Sequence, residues 1–277
     1  MTKQLDGLSS IVSEFDVFLI DQYGVLHNGV EPYPGAVETL TALKAENKQT
    51  VVLSNSGKRS VANIQRMASL GFADTLFDHF ISSGEVAHRY LKAELKDQSP
   101  RSCYLISRDD DVSAVEELDL EMAMSPDDAD LILISGSEAE RYSETEYREL
   151  LSIAAGKGTT CLCTNPDKKM LMPDGLFFGA GRIAEIYEEL GGTVNWIGKP
   201  HPGIYQYVLT LFADIDRERI LCVGDSIEHD IAGGHAAQLK TLLVRTGILT
   251  EVNDQQLNEQ FEKYQMKPDY ILDQLCM

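Results

Sequence analysis

Positive charge is what this chain has least of. Lys and Arg number 24 against 44 Asp plus Glu, a formal net charge of −20 over 277 residues. Such a surface repels phosphate backbones and anionic lipid heads, and the sequence shows no basic patch, so neither nucleic acid nor a membrane is an expected partner. Cysteine is also sparse. Cys103, Cys161, Cys163, Cys222 and Cys276 are odd in number, with no C-x-x-C pair and no zinc-ligand spacing, a pattern that suits a reducing compartment. No apolar run approaches the ~18 residues of a membrane span. The start, Met1-Thr2-Lys3-Gln4-Leu5-Asp6, lacks the charged-then-apolar order of a signal peptide. A cytoplasmic protein is therefore expected. Internal repeats and low-complexity tracts are missing too, which argues against solenoids and disordered arms.

What the chain does have is a series of buried-strand patterns that end on polar residues. Residues 17–20 are apolar and lead into Asp21-Gln22-Tyr23-Gly24-Val25-Leu26. A carboxylate at the carboxyl end of a buried strand is where open α/β sheets place their chemistry. Residues 27–35 are rich in turn formers, residues 36–45 have helical spacing, and 50–53 form a second strand, which together make the β-turn-helix-β unit of a parallel sheet. A short helix is expected over 8–15. The second strand ends in Ser54-Asn55-Ser56-Gly57, ahead of a helix over 60–70 whose first amides can bind an anion. An ordinary N-cap would look the same in isolation; the shared sheet edge with Asp21 favours the anion site.

A third strand is expected near 80–84 and a helix through about 95, after which Lys96-Asp97-Gln98-Ser99-Pro100 reads as a loop. Strands at 103–106, 130–134 and 159–163 and a helix over 144–155 follow, and then Thr164-Asn165-Pro166-Asp167 and Pro173-Asp174-Gly175. The opening pattern resumes afterwards. We therefore expect a core made of 1–85 and 179–277, with 86–178 as an inserted α/β module.

Cys161 and Cys163 alternate in a strand and share a face, which favours core packing over metal binding. Gly179-Ala180-Gly181-Arg182-Ile183-Ala184 fits a dinucleotide fingerprint, but that motif needs an acid ending the next strand, roughly 20 residues on. The strand at 194–197 ends instead in Gly198-Lys199-Pro200, so a nicotinamide site is rejected and a glycine-opened helix start is kept. Helices over 204–212 and 231–238 and strands at 220–223, 241–244 and 269–272 complete the expectation. The strand at 220–223 delivers Gly224-Asp225-Ser226-Ile227-Glu228-His229-Asp230.

Four strand ends thus offer Asp21, Ser54, Lys199 and the pair Asp225 and Asp230. Phosphoryl transfer through an aspartyl-phosphate asks for these groups: a carboxylate nucleophile, a hydroxyl and an ammonium on the phosphoryl oxygens, and acids for a hard cation such as magnesium. Asp21-x-x-Gly24-Val25-Leu26, Ser54-Asn55, Gly198-Lys199-Pro200 and Gly224-Asp225-x-x-x-x-Asp230 resemble the four motifs of the haloacid dehalogenase-like superfamily. Asn165-Pro166-Asp167 and the long insertion before Lys199 resemble its class IIA branch, the p-nitrophenylphosphatase and sugar-phosphatase-like enzymes.

That resemblance implies a Rossmann-like parallel-sheet core with an inserted α/β cap domain. It implies Asp21 as nucleophile, Ser54 and the Asn55 amide as phosphoryl-oxygen ligands, and Lys199 as the neutralising charge. Mg2+ would be held by Asp21, Asp225 and the backbone carbonyl of Tyr23, with Asp230 a direct or water-mediated partner. Cap loops near Asn165, Asp167 and Asp174 would choose the leaving group of a small phosphorylated metabolite, although Asn-Pro and Pro-Asp-Gly are good turns in any case. Whether two copies form a homodimer is left open.

One position departs from the family pattern. Its phosphatases carry a second aspartate two residues after the nucleophile as general acid and base, and here Tyr23 stands there. A phenol of pKa ~10 can protonate a leaving alkoxide but is a poor base for water. The expectation is a slow phosphatase limited by aspartyl-phosphate hydrolysis, unless His27 or a cap residue supplies the base. Tyrosine there also resembles the haloacid dehalogenases themselves, whose cap lies between the first two motifs; one turn and one helix between Leu26 and Val51 leave no room for it. A non-catalytic phosphometabolite-binding protein is the remaining alternative.

Overall fold

The computed structural model describes residues 2–96, 101–172 and 175–277. Its contacts divide the chain into two units, one made of Met1–Ser54, Val61–Ile81 and Lys199–Met277, the other of Asn55–Ser60 and Ser82–Gly198.

In the first unit the strand Val17–Asp21 is the centre of the sheet. Strands pair with both of its edges, and its residues 17–20 are fully buried because other elements pack on the faces of the sheet. The seven strands lie in the order Lys3–Gln4, Tyr270–Leu272, Lys240–Val244, Ile220–Gly224, Val17–Asp21, Gln49–Ser54 and His79–Ser82. Pairing is parallel from Lys3–Gln4 across to Gln49–Ser54. Leu19 faces Cys222 on one side and Val51 on the other, and Asp21 faces Leu53. This register aligns three strand ends. Phe18, Ile20, Val52, Leu221 and Val223 share one core cluster with Leu40 and Leu43 of the helix Ala36–Ala45.

The helix expected over 8–15 is instead two 3-10 turns, Leu8–Ser10 and Val12–Glu14, broken at Ile11. Leu8, Ile11, Val12 and Phe15 are all buried as helical spacing requires, but the Leu8 amide donates to the Cys276 carbonyl at 2.9 Å. That amide would have no partner within a helix, and the turns themselves close three residues back, Ile11 to Leu8 and Glu14 to Ile11 at 2.9 Å each. The helix expected over 231–238 begins earlier, as a five-residue π turn, Ile227–Ile231, that runs into Ala232–Ala236.

The second unit holds a parallel sheet in the order Val194–Trp196, Thr160–Cys163, Leu131–Ile134, Arg101–Ile106 and Leu120–Met122. An antiparallel hairpin, Lys169–Met172 with Gly175–Phe178, is separate. The unit is wider than the expected 86–178. Val194–Trp196 pairs with Thr160–Cys163, and Ile183, Ile186 and Tyr187 of the helix Ala180–Glu189 pack with Ile132 and Cys161. Apolar periodicity showed that these elements exist, but not which sheet they join. Cys161 and Cys163 lie in this core, and burial pushes the Cys163 thiol up to about 12, as core packing implies. Residues 97–100, where a loop is expected, and Asp174 lie outside the described residues.

Candidate active site

The site in the first unit starts from strand ends. Asp21 closes Val17–Asp21, Ser54 closes Gln49–Ser54, and Asp225 follows Ile220–Gly224 between the two remaining acids in chain order. Ser54 is buried at its strand end. Gly224 is required there, since a Cβ on it would lie 1.9 Å from Cγ of Asp230. The π turn brings Asp230 back under the strand. Its Oδ2 accepts the Ser226 amide at 3.1 Å, and the Ser226 hydroxyl accepts the His229 amide at 3.2 Å.

Lys199 is 2 % exposed, far from the solvated state of most lysines. Its Nζ donates to Asp21 Oδ1 at 2.5 Å and to Asp230 Oδ1 at 2.8 Å. Burial favours the neutral amine, but Asp21 and Asp230 outweigh it and hold the ammonium above the usual lysine range. Asp225 is fixed from the opposite direction. Its Oδ2 accepts the Ile248 amide at 2.9 Å. Gly24 and Gly247 press on that oxygen so closely that a Cβ on either would lie 2.1 or 1.9 Å from it. The Thr246 hydroxyl donates to the Gly24 carbonyl at 2.5 Å, tying the two glycine turns together.

Asp21, Asp225 and Asp230 each offer an oxygen within 4.8 Å of the others. Three carboxylates face one ammonium, so ionisation leaves excess negative charge in a buried place. Burial accordingly pushes Asp21 up to about 7, with Lys199 opposing and Asp230 reinforcing the shift. Burial, then Asp21 and Asp230, drive Asp225 well above the carboxylate range. An all-oxygen donor set with surplus negative charge fits a hard dication.

Tyr23 is half-exposed, with its ring edge-on to His27 at 5.8 Å between centroids. Gly29, at φ +94°, makes room for it, since a Cβ there would come within 2.9 Å of the ring. His27 does not fit the part of substitute base. It is 1 % exposed, its Nδ1 accepts the Gly29 amide at 2.9 Å, and its Nε2 lies 3.1 Å from the Gln22 side-chain amide. Burial, then Arg66, lowers it to about 4. Both ring nitrogens serve the turn rather than a water.

Three of the expected residues that are described belong to the second unit. The Asn55 side-chain amide donates to Asp167 Oδ1 at 2.8 Å, and the Asp167 amide donates to Asn165 Oδ1 at 3.1 Å. Asn165 and Asp167 therefore build an Asx turn that holds Asn55. The Thr246 to Ile248 turn was missed by sequence reasoning. Its signal was a Thr-Gly pair just past the strand Lys240–Val244, at the same sheet edge as Asp225.

Sheet, strand-end acids and buried lysine together define a parallel α/β enzyme built for phosphoryl-type chemistry. The family model described as haloacid dehalogenase-like hydrolase matches residues 18–121, and that described as HAD-hydrolase-like matches 196–276. Chronophin of Rattus norvegicus is 26% identical over 98% of this chain and 89% of its own length. Dihydroxyacetone phosphatase of Corynebacterium glutamicum is 24% identical over 94% of this chain and 89% of its own. The solved p-nitrophenyl phosphatase from Archaeoglobus fulgidus superposes with a TM-score of 0.72 at 26% identity, covering 94% of this chain and 97% of that one. The chain belongs to the haloacid dehalogenase-like hydrolases, in their class IIA phosphatase branch.

Proposed function

We propose that this protein is a magnesium-dependent phosphatase of small phosphomonoesters that works through an aspartyl-phosphate on Asp21. The observation that carries this reading is the buried Lys199 ammonium, bonded at once to Asp21 and Asp230 beside Asp225. In this reading an Asp21 carboxylate oxygen attacks phosphorus and the ester oxygen leaves. Lys199 neutralises the approach of two anions, and the Ser54 hydroxyl and the Asn55 backbone amide bind phosphoryl oxygens. Asp21, Asp225 and the Tyr23 backbone carbonyl would hold Mg2+, with Asp230 supporting directly or through water. The bound ion would supply charge neutralisation at the nucleophile and the phosphate.

Tyr23 protonates the leaving alkoxide but activates water poorly, so hydrolysis of the aspartyl-phosphate limits turnover. The second unit would serve as a cap whose loops influence the choice of leaving group, with Asn165 and Asp174 the residues that the sequence nominates for that role. The names of the relatives support substrates of triose-phosphate or aryl-phosphate size. A screen over phosphorylated trioses, sugars and p-nitrophenyl phosphate, with mass analysis for phosphate on Asp21, tests this. We expect a magnesium-dependent rate that Asp21→Asn abolishes. Ligand binding with no turnover in the wild type would establish the non-catalytic alternative that Tyr23 raises. Chelator-insensitive halide release from 2-chloropropionate would make it a dehalogenase.

A further inference from the structure

Gly179 and Gly181, which imitate a nucleotide fingerprint in the sequence, have a structural use. A Cβ on Gly179 would lie 2.1 Å from the Asp167 carbonyl oxygen, and one on Gly181 would lie 2.2 Å from that of Pro166. The Gly181 amide donates to the Asp167 carbonyl at 3.0 Å, and the Gly179 amide to the Lys168 carbonyl at 2.9 Å. The Asn165-Pro166-Asp167 turn therefore lies flat on the start of the helix Ala180–Glu189. Gly198, at φ +114°, closes on it as well, since a Cβ there would come 2.7 Å from Cδ of Pro166. The Asp167 backbone is held rigidly.

From this anchored backbone the Asp167 carboxylate reaches Asn55. The segment after Asn55 is gripped in the same unit. The Gly84 amide donates to the Ser56 carbonyl at 3.0 Å, and Gly57 packs so tightly that a Cβ would lie 2.0 Å from the Ser135 carbonyl oxygen. Farther on, Arg59 pairs with the buried Glu85, Nε to Oε2 at 3.1 Å and Nη2 to Oε1 at 3.3 Å.

We propose that Asp167 is a positioning residue: it orients Asn55 through the side-chain amide, and thereby the Asn55 backbone amide that meets the phosphoryl group. This rests on the phosphatase reading above. A displacement of about 1 Å at such a group can cost ~10² in rate. The phosphoryl group is common to all substrates, so a positioning residue affects them equally, whereas a residue that reads the leaving group does not.

The test measures kcat/KM for p-nitrophenyl phosphate, a triose phosphate and a hexose phosphate, and the inhibition constant for orthophosphate, all with magnesium present. Asp167→Ala is expected to lower every kcat/KM and weaken orthophosphate by one common factor, about tenfold. Asp167→Asn keeps an oxygen acceptor facing Asn55 and is expected to recover most of that loss. Asn55→Ala removes the same hydrogen bond from its other end, so it should match Asp167→Ala, and the double variant should lose nothing further. Losses that differ between leaving groups, or unchanged orthophosphate inhibition in Asp167→Ala, would overturn the proposal. If Asp167→Ala does not fold, Asn55→Ala with unchanged orthophosphate inhibition overturns it equally. A wild type that hydrolyses nothing refutes the phosphatase reading instead, and calorimetry of orthophosphate on the same variants still decides the positioning role.

Discussion

Tyr23 carries the clearest consequence of a single side chain. It is half-exposed at the turn after the strand Val17–Asp21, so a smaller acid fits there without opening a cavity. Tyr23→Asp should raise kcat by about 10², the lower end of what general acid and base catalysis contributes. Rapid-quench kinetics should show a burst of p-nitrophenol in the wild type and none in the variant. Fast wild-type turnover without a burst would remove the proposed bottleneck.

His27 has a different consequence, in stability. Its folded-state pKa of about 4 lies below the ~6.5 of an unfolded histidine, so between those values the unfolded chain binds the extra proton. Stability is therefore lost as pH falls from about 6.5 to 4, by about 2 to 3 kcal/mol from this residue. The raised carboxyls of Asp21 and Asp225 contribute the opposite slope in the metal-free protein, so the His27 loss is read as the difference between wild type and His27→Gln in urea unfolding at pH 7.5 and 5. Equal pH slopes for both proteins would refute the assignment.

At the scale of elements, the site depends on turns more than on the strands they follow. Asp225 is aimed by the Thr246 to Ile248 turn, where Gly247 sits at φ +57° with its Cα facing the carboxylate. Gly247→Ala forces a left-handed residue to carry a side chain, at about 1 to 2 kcal/mol, and drives a methyl into Asp225 Oδ2. We expect Mg2+ affinity to fall at least tenfold by calorimetry. The strands were legible because an apolar run buried on both faces reads the same whatever its neighbours. The 3-10 turns at 8–14 and the π turn at Asp230 were not, because closures three or five residues back share the apolar spacing of an α-helix and differ only in the backbone bonds, Ile11 to Leu8 in the first and Ile231 to Ser226 in the second.

For the molecule as a whole, the surplus negative charge at Asp21, Asp225 and Asp230 means that the proposed metal binding would also stabilise the fold. Magnesium at 100 times its Kd should stabilise the folded chain by about 2.7 kcal/mol, or several degrees in Tm. Chelator should reverse the shift, and Asp225→Asn should abolish it. No described helix is long and apolar enough to cross a membrane.

Residue identity alone determined that Asp21 and Ser54 close buried strands and that Lys199, Asp225 and Asp230 follow strands in that order, because buried strands and the turns after them are local features. Tertiary structure alone decided that Lys199 bridges Asp21 and Asp230, that His27 is closed off, and that Asp167 faces Asn55. It also assigned Val194–Trp196 to the second sheet. These outcomes depend on which distant groups compete for a hydrogen bond or a sheet edge, and one-dimensional spacing carries no record of that competition.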